Sequence, residues 1–270
     1  MHDRVLKAVN EVEEIIQLAG IEGDIRYFNF HKKRFMRMAE TIDAKCGGKG
    51  RVLDIGSHYL HASLILQKMG YEVQCMDVSA FWNLDFVQQR AAANGLKKRV
   101  EDNLENMPGL QDTRDAFEVI VFAEIFEHIT FNPIRFWKHI YRLIVTGGFI
   151  YISTPNALTW YNMLKQLKNI VLLKGIGLNV DLIFKNVTYG HHWKEYSAHE
   201  MRLYFAALSP DFKVDIRTYY YKTYPADTLV QKLRKGLIGC SNLFPAFREE
   251  MEAVIEVRKT GVWSLEEPEF

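Results

Sequence analysis

The chain has 270 residues and carries 34 Lys+Arg against 33 Asp+Glu, a formal net charge of +1. That balance argues against a protein that holds nucleic acid by neutralising phosphates, and 48% hydrophobic with 25% charged residues argues against disorder over most of the length. Three scattered cysteines, Cys46, Cys75 and Cys240, offer neither a zinc ribbon nor a disulfide framework. No window approaches the roughly 20 apolar residues of a spanning helix. The opening stretch MHDRVLKAVNEVEEII lacks the apolar centre of a signal peptide, so a soluble, cytoplasmic protein is expected.

Residues 1–45 read as helices. Val5, Val9, Val12, Ile15 and Ile16 recur at helical spacing, and a second periodic stretch runs from Tyr27 to Ile42. Residues 1–48 are thus expected as a helical cap on a main domain of residues 49–270, joined through the C-G-G-K-G run at 46–50. RVLDIG (51–56) reads as a short strand, 59–69 as a helix with Leu60, Leu64, Ile65 and Lys68 on its buried face, and YEVQCMD (71–77) as a second strand. A helix is expected over 81–94, a third strand at VEDN (100–103) and a fourth at AFEVIVFAE (116–124). Helix 132–145 has Pro133 in its first turn, where the missing N–H costs nothing, and precedes Gly147-Gly148 and the strand FIYIST (149–154). Insertions follow near 157–190 and 219–250, around a helix at 198–208 and a strand near 212–218; MEAVIEVRK (251–259) closes the chain as an antiparallel strand at one sheet edge.

Strands alternating with helices of this length imply right-handed crossovers and a Rossmann-like, doubly wound, mostly parallel sheet, here of seven strands. Ligands bind beyond the carboxyl ends of such strands, so those ends carry the interest: Asp54 and Gly56, Asp77, Asn103, Glu124, and Thr154 to Asn156. VLDIGS combines an acid that can bond an amine or hydroxyl with a glycine that admits close approach. The later glycines of a pyrophosphate-binding loop are missing, because Ser57, His58, Tyr59 and Leu60 follow Gly56. Asp77 ends the second strand and can accept from ribose hydroxyls, although an acid there also serves as a helix cap.

Together with DAFEVIVFAEIFEHI, Gly147-Gly148, FIYISTPN and HHWKEYSAHEM, these residues resemble the class I S-adenosylmethionine-dependent methyltransferases, with the ubiquinone-type O-methyltransferases and related glycan or small-molecule enzymes as the nearest subgroup. The resemblance implies S-adenosylmethionine as cofactor and S-adenosylhomocysteine as product. It places Asp54, Gly56 and Ser57 under the methionine part, Asp77 at the ribose, Asn103 and Leu104 at the adenine, and Glu124 beside the sulfonium. The family's D-x-G-x-G-x-G is reduced here to one glycine, with His58 and Leu60 at the later positions. A non-catalytic binding protein on the same fold therefore stands as the alternative.

Transfer from a sulfonium needs donor and nucleophile held in line and, for a hydroxyl acceptor, a base, a role suited to His near working pH. His128 and His192 are the candidates, beside a structural role for each, and His191 neighbours the second. Glu124, Glu127 and His128 are too thin a set to imply a metal, and none is expected. The apolar and basic segment 157–187 reads as a lid on the pocket or as an amphipathic helix in peripheral contact with a membrane. Tyr27 and His31 are plausible pocket members, and Tyr219-Tyr220-Tyr221 with Tyr224 fits a sugar-stacking groove or an edge strand equally well. The expected partner is a small-molecule or glycan substrate, including a lipid-linked one, and not nucleic acid; the sequence leaves the oligomeric state open.

Overall fold

The computed structural model describes residues 2–174 and 190–268, together with residues 177, 183, 184 and 187. Of the segment 157–187, residues 175–176, 178–182 and 185–186 lie outside the described residues, as do Thr188 and Tyr189 of the aromatic segment that follows.

Two helices come first, α1 (His2–Ala19) and α2 (Glu22–Cys46). Gly47 ends α2 in the left-handed conformation (φ 62°), its N–H bonded to the Asp43 carbonyl at 2.8 Å, the termination that a Cβ-free residue makes cheap. The sheet then builds through β1 (Arg51–Ile55), α3 (His61–Lys68), β2 (Glu72–Asp77), the short α4 (Ser79–Trp82), α5 (Asp85–Ala93), β3 (Lys97–Val100), β4 (Phe117–Ala123), α6 (Pro133–Leu143) and β5 (Ile144–Pro155). After α7 (Trp160–Val171) come α8 (Ala198–Leu208), β6 (Phe212–Tyr219), α9 (Leu229–Leu243) and β7 (Glu250–Val257).

The seven strands lie in the order β3-β2-β1-β4-β5-β7-β6. Strands β1 to β5 pair in parallel with one another, and β7 runs antiparallel between β5 and β6. Because β2 and β4 flank β1 on opposite sides, the chain reverses its winding at β1, and a crevice opens at the carboxyl ends of β1 and β4. One sheet face packs on α1, α2, α3 and α5 through Val9, Phe28, Met38, Leu64 and Ile65. The other packs on α6 and α8 through Phe136, Trp137, Ile140, Met201 and Phe205.

Four details differ from the sequence reading. The third strand is Lys97–Val100, so VEDN contributes only its first residue; three of the four residues in this basic edge strand are exposed, which removes the apolar run that marks a strand. The helix expected over 81–94 is two helices, broken at Asn83 and Leu84. Strand β5 begins at Ile144, before the glycine pair. Lys68 is exposed, and Leu66 and Met69 join Leu64 and Ile65 in the core instead.

The N-terminal helices are fixed to the sheet layer by a buried charge cluster. Asp24, in the first turn of α2, accepts from His61 Nε2 at 2.7 Å and from both terminal nitrogens of Arg90 on α5, while Arg90 Nη1 also reaches the Tyr59 carbonyl at 2.7 Å. Burial works against the Asp24 carboxylate, but the hydrogen bonds from His61 and Arg90 outweigh it and hold the group below the usual carboxylate range. Removing one member of such a cluster strands a buried cation. Asp24→Ala should therefore lose about 3–5 kcal/mol in urea unfolding; a loss under about 1 kcal/mol, the size of an exposed pair, would show that the cluster does not anchor α2.

Candidate functional site

Strand β1 delivers Asp54 and strand β2 delivers Asp77 to the same crevice. Asp54 is buried and Asp77 half-buried, and the charge of Asp77 helps to raise the pKa of Asp54. Burial is the larger cause: it pushes Asp54 to about 6 against an opposing hydrogen bond from Ser63 Oγ at 2.5 Å. Asp77 also rises to about 6 by burial, opposed by the N–H groups of His58 and Val78, which it accepts at 2.6 and 2.7 Å.

The bond from His58 ties the β1–α3 loop to β2, reinforced by Gly56 N–H to the Met76 carbonyl at 2.8 Å. Gly56 has φ 78°, and a Cβ there would stand 2.1 Å from Ile125 Cδ1, so the β4 loop packs directly on this glycine. His58 (φ 47°) and Leu60 (φ 69°) also hold left-handed backbone. These are the two later glycine positions of the family loop, so the loop keeps a glycine-like path with other residues in place. Side-chain packing sustains it: Leu60 is fully buried, and the His58 ring lies 3.7 Å from Tyr59, 4.5 Å from Phe81 and 4.7 Å from Tyr27, centroid to centroid.

Several buried polar atoms in this crevice have no hydrogen-bond partner among the described residues: Asp54 Oδ1, Ser57 Oγ and Arg34 Nε. Arg34 is not among the cofactor-binding residues expected from the sequence. It sits on α2, is 3% exposed, and pairs with Glu124 Oε2 at 3.2 Å. Glu124 itself has φ 60° and is fixed by Ser153, through its N–H to the carbonyl at 2.8 Å and through Ser153 Oγ to its Oε1 at 3.1 Å. Asn103 is exposed and accepts from the Asn106 N–H at 3.1 Å, while Leu104 is half-buried against the core.

Beyond β4, a short 3₁₀ turn at Phe126–His128 sets Glu127 and His128 next to His192. The Glu127 carbonyl accepts from the N–H of Trp193 at 3.0 Å, docking the segment after 190 onto this turn. His128 Nδ1 lies 2.9 Å from the His191 carbonyl; only a protonated Nδ1 can make that contact, which leaves Nε2 with its lone pair. Burial, then the neighbouring His192, lowers the His128 pKa, so the ring is neutral at pH 7. His192 moves the other way, raised by its hydrogen bond to Glu195 at 3.2 Å. Glu127 is fully buried and pushed up to about 8, by burial and then by Glu124; its Oε2 accepts from Thr154 Oγ1 at 2.9 Å, while Oε1 has no hydrogen-bond partner among the described residues. The Nε2 atoms of His128 and His192 lie 3.9 and 4.0 Å from that Oε1.

Next to this cluster lies a cavity of about 200 Å³, whose lining includes His192, Glu195, Lys222, Tyr224, Arg234 and Glu249. Tyr219 and Tyr221 are buried, and Tyr221 OH bonds His31 Nδ1 at 2.8 Å, so this pair joins β6 to α2 instead of forming an open stacking groove. Tyr224 alone of the tyrosine cluster reaches the cavity.

A family model described as a methyltransferase domain matches residues 25–209. The chain belongs to that methyltransferase family. Its cofactor is S-adenosylmethionine. No curated protein matches the chain in sequence. Among solved structures it resembles an S-adenosylmethionine-dependent methyltransferase from Archaeoglobus fulgidus (16% identity, TM-score 0.54, covering 86% of this chain and 99% of that one). It also resembles the YcgJ protein of Bacillus subtilis (14%, 0.53, 85% and 100%). A third match is a chain from the complex between the Haloferax volcanii Trm112 methyltransferase activator and a methyltransferase (15%, 0.57, 84% and 92%). At these identities the likeness is one of fold, and it includes the seven-stranded mixed sheet with helices on both faces.

The loop geometry makes a stability prediction. Leu60→Gly relieves about 1–2 kcal/mol of left-handed strain but removes a fully buried side chain worth about 2–5 kcal/mol. The variant of this methyltransferase should be less stable by about 2 kcal/mol in urea unfolding, and a gain in stability would show that backbone strain, not packing, dominates the loop.

Proposed function

We propose that this methyltransferase transfers its methyl group to a hydroxyl of a small-molecule, glycan or lipid-linked acceptor, with His128 as the base. The single observation that carries the reading is the tautomer fixed at His128. A neutral ring whose Nδ1 proton is committed to the His191 carbonyl keeps a free Nε2 lone pair at the rim of the cofactor crevice. His192 is the second candidate base, less apt because Glu195 favours its charged form.

The cofactor's polar groups find partners in the crevice. Asp54 Oδ1 would take the methionine ammonium, and Arg34 the methionine carboxylate. Gly56 and Ser57 would lie under the chain between them, and Asp77 would accept from the ribose hydroxyls with the lone pairs that its two N–H donors leave over. Asn103 and Leu104 would border the adenine, and Glu124 the sulfonium end. The sulfonium supplies the electrophilic methyl; the protein holds the acceptor oxygen in line and receives its proton at Nε2.

A second reading of the same cluster rests on Glu127 Oε1. The three ligand atoms lie within 4.8 Å of one another, so a small inward shift would bring each to about 2.1 Å from a shared ion, and the Nδ1 atoms of both histidines are already bonded to outer acceptors, as they are around metals. A divalent cation held by Glu127, His128 and His192 would acidify the acceptor hydroxyl. The sequence reading expected no metal because it paired Glu124 with Glu127 and His128, and overlooked His192.

One experiment separates the readings. With methyl-labelled cofactor and a panel of phenols, sugars and amines, label should pass to hydroxyl acceptors. His128→Ala should lower the rate by about 10²–10⁴ while leaving S-adenosylhomocysteine affinity intact, and treatment with a chelator should leave the wild-type rate unchanged. Loss of activity on chelation, restored by a divalent cation, would replace the base reading with the metal one; label on amines alone would overturn both.

A pH profile tests Asp54. Its raised pKa means that the carboxylate is neutral below about 6 and charged above it, and only the charged form pairs with an ammonium. Affinity for S-adenosylhomocysteine, followed by titration calorimetry, should be constant above that pH and fall by about tenfold per unit below it. Asp54→Asn should flatten the profile at the weak end; an unchanged profile in that variant would remove Asp54 from the amino-group site.

A further inference from the structure

The packed helices α7 and α9 carry outer faces that are uncovered among the described residues. The first turn of α7 is fixed on the last turn of α9: the Trp160 N–H reaches Ser241 Oγ at 3.3 Å, and the Trp160 ring stacks on Phe244 at 5.7 Å. Arg234 of α9 lies over the Tyr161 ring at 4.6 Å. Yet α7 buries none of its residues, and α9 buries only Ile238 and Ser241. Leu164, Leu167 and Val171 repeat at i, i+3 and i+7 along α7, and Leu229, Val230 and Leu233 open α9; all six are at least half exposed. Helices that merely closed a pocket would turn such residues inward.

The charge of this face is one-sided. The chain as a whole carries 33 acids against 34 bases, but residues 157–174 and 228–248 contain no Asp or Glu. The same stretches contain Lys165, Lys168, Lys174, Lys232, Arg234 and Lys235, interleaved with the exposed leucines. Exposed apolar side chains among cations, with acids absent from both helices, complement a surface that is apolar beneath an anionic layer. No described helix is long and apolar enough to cross a membrane, so the contact is one of lying on the surface.

We infer that the α7–α9 face docks this protein on an anionic lipid bilayer. The cavity beside His192 is walled by Tyr161 of α7 and by Arg234 and Ile238 of α9, so it is built in part from the docking helices. The corollary, which rests on the methyl-transfer reading, is an acceptor carried on a lipid anchor and presented at the bilayer surface. Docking itself does not depend on that reading.

Cosedimentation tests it with the full chain and vesicles of phosphatidylcholine alone or mixed with phosphatidylserine. The protein should pellet with the mixed vesicles, weakly with the neutral ones, and less as salt is raised. The variant Lys165→Gln/Lys168→Gln/Lys232→Gln/Lys235→Gln should weaken binding to mixed vesicles by roughly a hundredfold or more, and Leu167→Ser/Leu233→Ser should weaken binding to both kinds. Both variants should bind S-adenosylhomocysteine like the wild type, which shows an intact fold and keeps the outcome separate from that of the methyl-transfer reading. Protein left in the supernatant with every vesicle would overturn the inference. So would a dimer in solution that the leucine variant dissociates, since the face would then belong to a second copy.

Discussion

The carboxylate of Asp77 spans two strands. From the end of β2 it accepts the N–H of His58 in the loop after β1, and that bond holds the loop in a path with positive φ at Gly56, His58 and Leu60. Only the first of these is glycine. The other two keep the path because the chain around them is packed: Leu60 is a core residue, and His58 is wedged among Tyr27, Tyr59 and Phe81. The loss of two glycines thus moves the source of the loop's shape from intrinsic backbone freedom to tertiary contacts, and Asp54 and Ser57 are still delivered to the crevice.

Burial governs the electrostatics along the carboxyl ends of the strands. It raises Asp54 and Asp77 to about 6 and Glu127 to about 8 and lowers His128, so Glu127 and the imidazole are mostly neutral at pH 7 while the two aspartates stay mostly charged but within about a unit of protonation. Arg34, buried, pairs with Glu124. The carboxyl ends of the strands thus carry an Arg34–Glu124 pair, two titratable acids and, on the turn after β4, a neutral imidazole, an arrangement that suits a cationic cofactor that becomes neutral at sulfur when its methyl group leaves.

The repeating strand–helix pattern was plain in the chain because β1, β2, β4 and β5 each carry an apolar run, the first two ended by Gly56 and Asp77. The edge strand β3 was misplaced by about three residues because KKRV has no apolar run. The acids at the strand ends could be named from their position alone, since topology brings those ends together. For residues that reach the crevice from elsewhere the meeting was not legible, although His192 is named from the sequence as a candidate base. Arg34 lies 90 positions before Glu124 and looks like any helix arginine, and His192 meets Glu127 only because the segment after 190 folds back on the β4 turn. The helix α9 was read as a mixed segment, its three glycine and serine residues masking an otherwise continuous helical period.

The most direct test of the account is a crystal structure with S-adenosylhomocysteine bound. It should place the methionine amino nitrogen on Asp54, the methionine carboxylate on Arg34, both ribose hydroxyls at Asp77 and the sulfur on the side facing His128. A nucleoside bound away from the β1–β2 edge, with Asp54 and Asp77 untouched, would contradict it.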